Sequence, residues 1–553
     1  MKNELRPFST LQRAQTRQKL ETEEFDLLVV GGGATGCGIA LDAAARGLKT
    51  ALVEKGDFAS GTSSKSTKLI HGGLRYLKQL DIALVRETGT ERAIVHRLAP
   101  HLVLPEKMLM PLIEGGTYGK WSTSFGLMVY DMLAQVEKQD RRKMLTKEEA
   151  LELEPLLHAE GLKGGGYYAE YRTDDARLTI ELIKTAGHYG ALAINYCPAV
   201  DFLYDEDRIV GVTAEDYLAR DHFKIRAKRV VSAAGPWVDR LRNKDGSLSG
   251  KRLHLTKGVH LVFDHAKFPL RQTTYFDAPD GRMIFAIPRG RVTYVGTTDT
   301  NYSGNLDRVV ATHDDAQYLI DVVHHAFPSI KLKMEDIQSN WAGLRPLIHE
   351  DGKSPSELSR KDEIFVSPQG LISIAGGKLT GYRKMAQRIV DLVYQQLDLD
   401  FVPCTSNQIP LVRDPLASAA AVAAYIEELK GRVKDLGLVD YHAWYLATNY
   451  GRQTEVLLAK MQSFTDDDPE VALGRAEAWF GVEYEMVASA EDLLVRRTGR
   501  LYFEIGSISR MRDVVMKDLK GYLSWSEERF ASENQRLDEL MYDATHYYEL
   551  ELT

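Results

Sequence analysis

A glycine-rich turn between an apolar run and a small-residue helix constrains this chain more than any other feature. Phe25-Asp26-Leu27-Leu28-Val29-Val30 reads as a buried parallel strand and runs into Gly31-Gly32-Gly33-Ala34-Thr35-Gly36-Cys37-Gly38. An alanine-rich helical stretch follows, from Ile39 to Arg46. Gly31, Gly33 and Gly36 form G-x-G-x-x-G in the strand-turn-helix context that gives this motif its meaning. The first glycine permits the tight turn, the second lets backbone approach a pyrophosphate, and the third lets the helix pack on the strand. Amides at the helix N-terminus then face the phosphates. Residues 49–53 read as a second strand closed by Glu54, where a carboxylate can accept from ribose hydroxyls. Together these predict a dinucleotide-binding unit, with Cys37 merely a small packed residue.

Which dinucleotide is indicated by how far the pattern extends. Residues 229–237 read as another buried strand ending in Ala233-Ala234-Gly235-Pro236-Trp237. Residues 371–375 form one more, ending at Gly376-Gly377 before a helical pattern over 379–397. A nicotinamide domain would finish its sheet in one continuous stretch. Strand-then-glycine signals spread from Phe25 to Gly377 suit a large cofactor gripped along its length, which points to FAD.

The run Thr62-Ser63-Ser64-Lys65-Ser66-Thr67-Lys68-Leu69-Ile70-His71-Gly72-Gly73-Leu74-Arg75-Tyr76 closely resembles the hallmark of the FAD-dependent glycerol-3-phosphate dehydrogenases. Further matches are Asp174-Asp175-Ala176-Arg177-Leu178, the Ala233 to Trp237 turn, Gly296-Thr297-Thr298-Asp299, Ala342-Gly343-Leu344-Arg345-Pro346-Leu347 and Gly376-Gly377-Lys378-Leu379-Thr380. Near the C-terminus, Glu491-Asp492-Leu493-Leu494-Val495-Arg496-Arg497-Thr498 looks like the family's helical-domain signature. The segments occur in family order across residues 25–510. The resemblance implies an α/β fold: an FAD-binding Rossmann-like domain of the glutathione-reductase/D-amino-acid-oxidase type, an antiparallel-sheet substrate domain and a C-terminal helical domain. Placed on this chain, that gives a charged N-terminal arm over 1–24. A discontinuous FAD-binding domain covers about 25–90, 170–250 and 340–400. Substrate-domain segments fall at about 91–169 and 251–339, and the helical domain at 401–553.

The resemblance also implies oxidation of sn-glycerol 3-phosphate to dihydroxyacetone phosphate by hydride transfer from C2 to flavin N5, with electrons passed to a membrane quinone. The sister family of glycerophosphate oxidases passes them to oxygen, releasing hydrogen peroxide, and its members are longer. A flavin amine or amino-acid oxidase on the same general fold would bind a carboxylate where the phosphate is placed; the cationic cluster and the run His71-Gly72-Gly73-Leu74-Arg75-Tyr76 argue against it. A non-catalytic flavin-bound docking subunit would have no use for His71, Arg75, Arg345 and Lys378 together.

By resemblance, Arg75, Tyr76 and Lys378 are assigned to the substrate phosphate, which suits forked guanidinium donors and a lysine point charge. Arg345 is assigned to the oxygen that becomes a carbonyl, where it stabilises alkoxide-like charge. His71 is the preferred general base, since an imidazole suits proton removal near neutral pH; the competing reading has it pack beside the isoalloxazine. The expected cofactor contacts are Gly31, Gly33, Gly36, Glu54, Ser63, Ser64, Gly235, Gly376, Gly377, Leu379 and Thr380. A helix opening near Leu379 would meet negative charge at flavin N1 and C2=O with its N-terminal amides. Asp299 is left open between positioning FAD and positioning a neighbouring loop. His260 reads as a structural histidine, and Arg289 and Arg291 are unassigned.

Residues 282–296 alternate around Pro288-Arg289-Gly290 and predict a β-hairpin in the sheet roofing the substrate. Helices are expected over 416–429, 440–449, 468–480, 488–496 and 511–534, with 535–553 peripheral. Asp466-Asp467-Asp468 reads as a solvated helix cap. Residues 118–133 mix aromatic and apolar side chains and are trailed by Lys138, Arg141, Arg142 and Lys143. That composition fits a monotopic helix lying in a membrane interface and equally a helix buried against the substrate domain. With no apolar h-region in residues 1–24 and no spanning segment, the expectation is a cytoplasmic chain, peripheral on the inner face of the cell membrane. A net charge of −8, from 70 basic and 78 acidic residues, argues against a nucleic-acid-coating role. Three scattered cysteines exclude a disulfide framework or structural zinc. A homodimer is expected at family level only.

Overall fold

Leu27 and Val29 face one core and Leu28 and Val30 the other, as a strand buried on both sides of a parallel sheet must. That strand, Glu24–Val30, is central in the computed structural model of the chain, which describes residues 6–71, 82–116, 142–349, 362–412, 414–465 and 468–549. Its sheet runs Glu363–Val366, Ile372–Ala375, Asp221–Ser232, Glu24–Val30, Thr50–Val53, Leu192–Ile194. Its neighbours Asp221–Ser232 and Thr50–Val53 lie parallel to it, and Ile372–Ala375 and Leu192–Ile194 extend the parallel order outward on either side. Helix Ala34–Ala45 packs on one face together with helices Asp175–His188 and Tyr382–Gln396. The other face is closed by Phe202, Val212 and Phe223 of a three-stranded meander, and by Leu20 of helix Arg13–Thr22. The N-terminal arm is thus a docked element. Arg13 is buried, donating to the Asn195 carbonyl at 2.6 Å and pairing with Asp216 at 2.8 Å.

A second sheet, largely antiparallel, carries the expected hairpin as Met283–Arg289 and Val292–Gly296. The domain boundary near residue 340 is corrected by this sheet. Strand Ile337–His349 pairs with Arg252–Asp264 from Arg252↔His349 to Phe263↔Ile337, so Arg345 stands on the second sheet. Leu69–Ile70, placed by sequence in the cofactor domain, also joins this sheet, against Tyr171 and Arg172. Helix His313–Ala326 covers one face through Leu319, Ile320 and Val323.

The C-terminal helices cover the opposite face. Tyr502, Phe503, Ile508 and Met511 share a core with Val262, Tyr294 and Trp341, so the helical unit packs chiefly on the second sheet rather than along the flavin sheet. The single helix expected over 511–534 is two, Ile505–Leu523 and Glu527–Thr545. Ser524 takes a left-handed conformation and Ser526 caps the second helix by accepting from the Arg529 amide. Residues 535–545 are not peripheral: Leu537 and Ala544 are buried, and Asn340 Nδ2 donates to the Ala544 carbonyl at 2.8 Å. A further helix, Thr454–Met461, was not foreseen, and the segment expected as helix over 488–496 is a wide π turn, Asp492–Arg497. Asp468 caps helix Pro469–Tyr484, while Asp466 and Asp467 lie outside the described residues. No helix among the described residues is long and apolar enough to cross a membrane.

Buried ion pairs tie the helical unit to the flavin side. Arg177 and Lys184 on helix Asp175–His188 reach Glu485 at 2.7 and 3.3 Å. Burial alone would raise the Glu485 carboxyl, but Arg177 and Lys184 outweigh it and hold it down at about 2. A depressed carboxylate stabilises the fold above its unfolded value, here 4.5, and that contribution is lost as the pH falls toward 2. Arg177→Met is expected to cost about 3–5 kcal/mol, because it strands a buried carboxylate. Denaturant unfolding at neutral pH should show that loss, and the difference from wild type should shrink on acidification through this window. A neutral-pH cost below about 1 kcal/mol would contradict it.

Candidate active site

Parallel strands align their carboxyl ends, so Gly31, Glu54, Ala233 and Gly376 all follow their strands on one edge of the first sheet. That edge opens on a cavity of about 590 Å³, which continues to the second sheet at Gly258 and Arg345. Gly31 and Gly33 line it, whereas Gly36 lies behind them. There a Cβ would collide with the Gly31 carbonyl, which is the close helix-on-turn approach expected of the third glycine. Glu54 Oε2 accepts from the Gly32 amide at 2.5 Å and Oε1 from Gly56 at 2.8 Å. Burial raises the Glu54 carboxyl, while these two amides favour its charged form. Ser63 Oγ accepts from the Ala34 amide at 3.0 Å, at the N-terminus of helix Ala34–Ala45. Ser64 is a correction. It is buried off the cavity, and its carbonyl accepts from Lys68 Nζ at 3.2 Å, so its role is to hold the chain under the site.

Gly235, Gly376, Gly377, Lys378, Leu379 and Thr380 all line the cavity. The helix expected to open near Leu379 begins as a 3-10 turn, Leu379–Gly381, and becomes α-helical only at Tyr382. Its first-turn amides still stand at the cavity wall. Thr380 Oγ1 donates to the His71 carbonyl at 3.3 Å, so the turn and the His71 segment meet. The His71 ring lies edge-on to Phe285 of the hairpin, centroids 6.0 Å apart. Arg75 and Tyr76 lie outside the described residues, as do residues 118–133.

Arg345 reaches the cavity across Gly258, where a Cβ would press on its guanidinium. Nη1 donates to the Thr298 carbonyl at 3.2 Å and to Asp299 at 3.1 Å, and Nη2 to Thr297 Oγ1 at 2.9 Å. Asp299, left open between positioning FAD and positioning a neighbouring loop, accepts from Arg345 Nη1 and so orients that guanidinium. His260 stacks on Trp341 at 4.7 Å and bonds Thr67 Oγ1 through Nε2 at 2.9 Å, as a structural histidine would, yet it also lines the cavity. Burial, then Arg345 and Lys68, hold its imidazole neutral. Arg289 and Arg291 serve packing, with Arg289 on Asp174 and over Phe503. Arg291 lies over Tyr441.

Sequence reasoning missed Trp237 and Lys55. Lys55 Nζ lies 4.1 Å from the Trp237 ring centroid and pairs with Asp307, forming one rim of the cavity. The Ala-Ala-Gly-Pro-Trp motif contained the signal, although only its glycine was given a role. The trough as a whole fits FAD. The Glu54 carboxylate lines the cavity, where it can accept from ribose hydroxyls, and a helix N-terminus stands beside the glycine turn. A second polar turn closes the far end, and the volume is of cofactor scale.

The model of FAD-dependent oxidoreductases matches residues 26–383, and that of the C-terminal domain of alpha-glycerophosphate oxidase matches residues 404–530. An aerobic glycerol-3-phosphate dehydrogenase of Bacillus subtilis is 48% identical over 544 residues, covering 97% of this chain and 98% of the relative. One from Staphylococcus haemolyticus is 49% identical over 528 residues, covering 94% and 95%. The crystal structure of a glycerol-3-phosphate dehydrogenase from Bacillus halodurans, complexed with FAD, superposes with a TM-score of 0.84 at 43% identity. That match covers 98% of this chain and all of the other. An alpha-glycerophosphate oxidase of Mycoplasma pneumoniae, at 19% identity and a TM-score of 0.54, shares the fold.

Proposed function

Because the chain belongs to the family of FAD-dependent glycerol-3-phosphate dehydrogenases, we propose that it oxidises sn-glycerol 3-phosphate to dihydroxyacetone phosphate and delivers the electrons to a membrane quinone. One observation carries this reading. His71, Arg345 and Lys378 come from three distant segments and all line the one cavity that the glycine turn and Glu54 also line. FAD, when bound, supplies the hydride acceptor. His71 takes the proton of the C2 hydroxyl, so that the electron pair of the C2–H bond can leave as hydride while the carbonyl forms. Arg345, fixed by Thr297, Thr298 and Asp299, stabilises the negative charge developing on that oxygen. Lys378, with Arg75 and Tyr76, holds the phosphate and so fixes C2 over the cofactor. The helix start at Leu379–Gly381, whose Leu379 and Thr380 line the cavity, would stabilise negative charge on the bound cofactor.

The acceptor is tested by reoxidation. Enzyme reduced anaerobically by substrate should be reoxidised within its turnover time by a short-chain quinone. In air it should release little hydrogen peroxide. Stoichiometric peroxide with no response to quinone would assign the oxidase reaction instead. On this reading the chain works peripherally on the inner face of the cell membrane.

A further inference from the structure

We propose that the C-terminal helical unit positions the FAD-binding loop through Asp57, so that cofactor capture and docking of that unit are coupled. The loop over 54–63 carries two groups of the cofactor trough, Glu54 and Ser63, and lies along the glycine turn. Glu54 accepts from Gly32 at 2.5 Å, Ser63 accepts from Ala34 at 3.0 Å, and the Ala59 amide donates to the Gly32 carbonyl at 3.0 Å. Between these contacts the loop carries Gly56, Gly61 and an alanine at φ 64°; Phe58 anchors it in the core, and the Gly56 carbonyl accepts from the Tyr196 amide at 2.7 Å.

Asp57 supplies a further restraint. It is 1% exposed, and its two arginine partners lie about 440 positions away. Asp57 Oδ2 accepts from Arg496 Nε and from Arg497 Nη1, both at 2.6 Å. Oδ1 accepts from Arg497 Nη2 at 2.9 Å and from Asn195 Nδ2 at 3.0 Å. The arginines are themselves fixed: Arg496 Nη2 donates to Asp492 at 2.7 Å, and Arg497 Nη2 to the Glu485 carbonyl at 2.7 Å. Tyr196, two strands from the glycine turn, closes the network by donating to Asp492 at 2.5 Å. Burial works against the Asp57 carboxylate, but Arg497 and Arg496 outweigh it and hold it below the usual carboxylate range.

Undocking the helical unit would take both guanidinium partners from Asp57, leaving it Asn195 alone, and would take from Arg496 and Arg497 the carboxylate they share, so the loop and the unit order together. By linkage, a ligand that binds the ordered loop favours docking to the same extent that docking favours the ligand. Asp57 does not line the FAD trough and acts on FAD only through the loop; it is a positioning residue. Through this contact Asp492, Arg496 and Arg497 of the helical signature would act on FAD although none lies in the FAD trough.

The test strips FAD from the full chain and titrates it back, following quenching of flavin fluorescence, in Asp57→Asn, Arg497→Lys and Asp518→Asn. Asp518 pairs with Arg475 at 2.6 Å inside the helical unit and does not touch the loop, so it controls for general destabilisation. The Kd for FAD is expected to rise about tenfold or more in the first two variants and to stay within about twofold in the control. FAD should also slow proteolytic cleavage of the 485–504 segment in wild type and have less effect in Arg497→Lys. That variant keeps the charge and serves if Asp57→Asn does not fold. Unchanged FAD affinity in Arg497→Lys, or an equal rise in the Asp518→Asn control, would overturn the proposal.

Discussion

Arg345→Lys is expected to slow anaerobic flavin reduction by glycerol 3-phosphate by about 10²–10³-fold, the loss seen when one preorganised oxyanion donor is removed. The substitution keeps the charge and discards the fork. The Arg345 guanidinium bonds Thr297, Thr298 and Asp299 in one plane, and that plane sets the direction from which its positive edge meets substrate. A lysine ammonium can satisfy Asp299 or a substrate oxygen but cannot reproduce both with fixed geometry. FAD content should be unaffected, because Arg345 stands on the second sheet, away from the glycine turn and Glu54. Stopped-flow reduction under saturating substrate separates the two. An unchanged rate would mean that Arg345 only packs against Gly258.

His71→Asn should lower the same rate by about 10²–10⁴-fold, the range for loss of a positioned general base. The pH profile is the sharper signature. An imidazole that accepts a proton works only in its neutral form, so the wild-type reduction rate should fall on acidification. The residual rate of the asparagine variant should lack that limb. His71 lies edge-on to Phe285, and its carbonyl receives Thr380, so a purely packing role is the competing account. That account predicts a small rate change and an unaltered pH profile.

The sequence made legible those parts of the site whose chemistry is local. Gly31, Gly33, Glu54 and the Gly376 to Thr380 turn follow directly from strand-turn-helix order, and all of them line one cavity. What it hid was pairing between distant segments. Strand Ile337–His349 reads as continuing toward the Gly376 turn, and only its ladder with Arg252–Asp264 reveals the second sheet. The role of Asp299 depends on a guanidinium 46 positions away, and Asp57 looks like an ordinary loop aspartate until Arg496 and Arg497 arrive. The helix break at Ser524 is obscured because apolar periodicity continues through Leu519, Leu523 and Phe530, although the Ser526 cap can be read. Ser64 shows the reverse error: inside a matched motif, its neighbour Ser63 faces the cavity and it does not.

The measurement that bears most directly on this account is anaerobic bleaching of the bound flavin on adding glycerol 3-phosphate, with unphosphorylated glycerol in parallel. The presence of His71, Arg345 and Lys378 in the lining of the trough predicts full bleaching by the phosphate ester and none by glycerol at the same concentration. A yellow protein unaffected by glycerol 3-phosphate, or bleached equally by both, would contradict it.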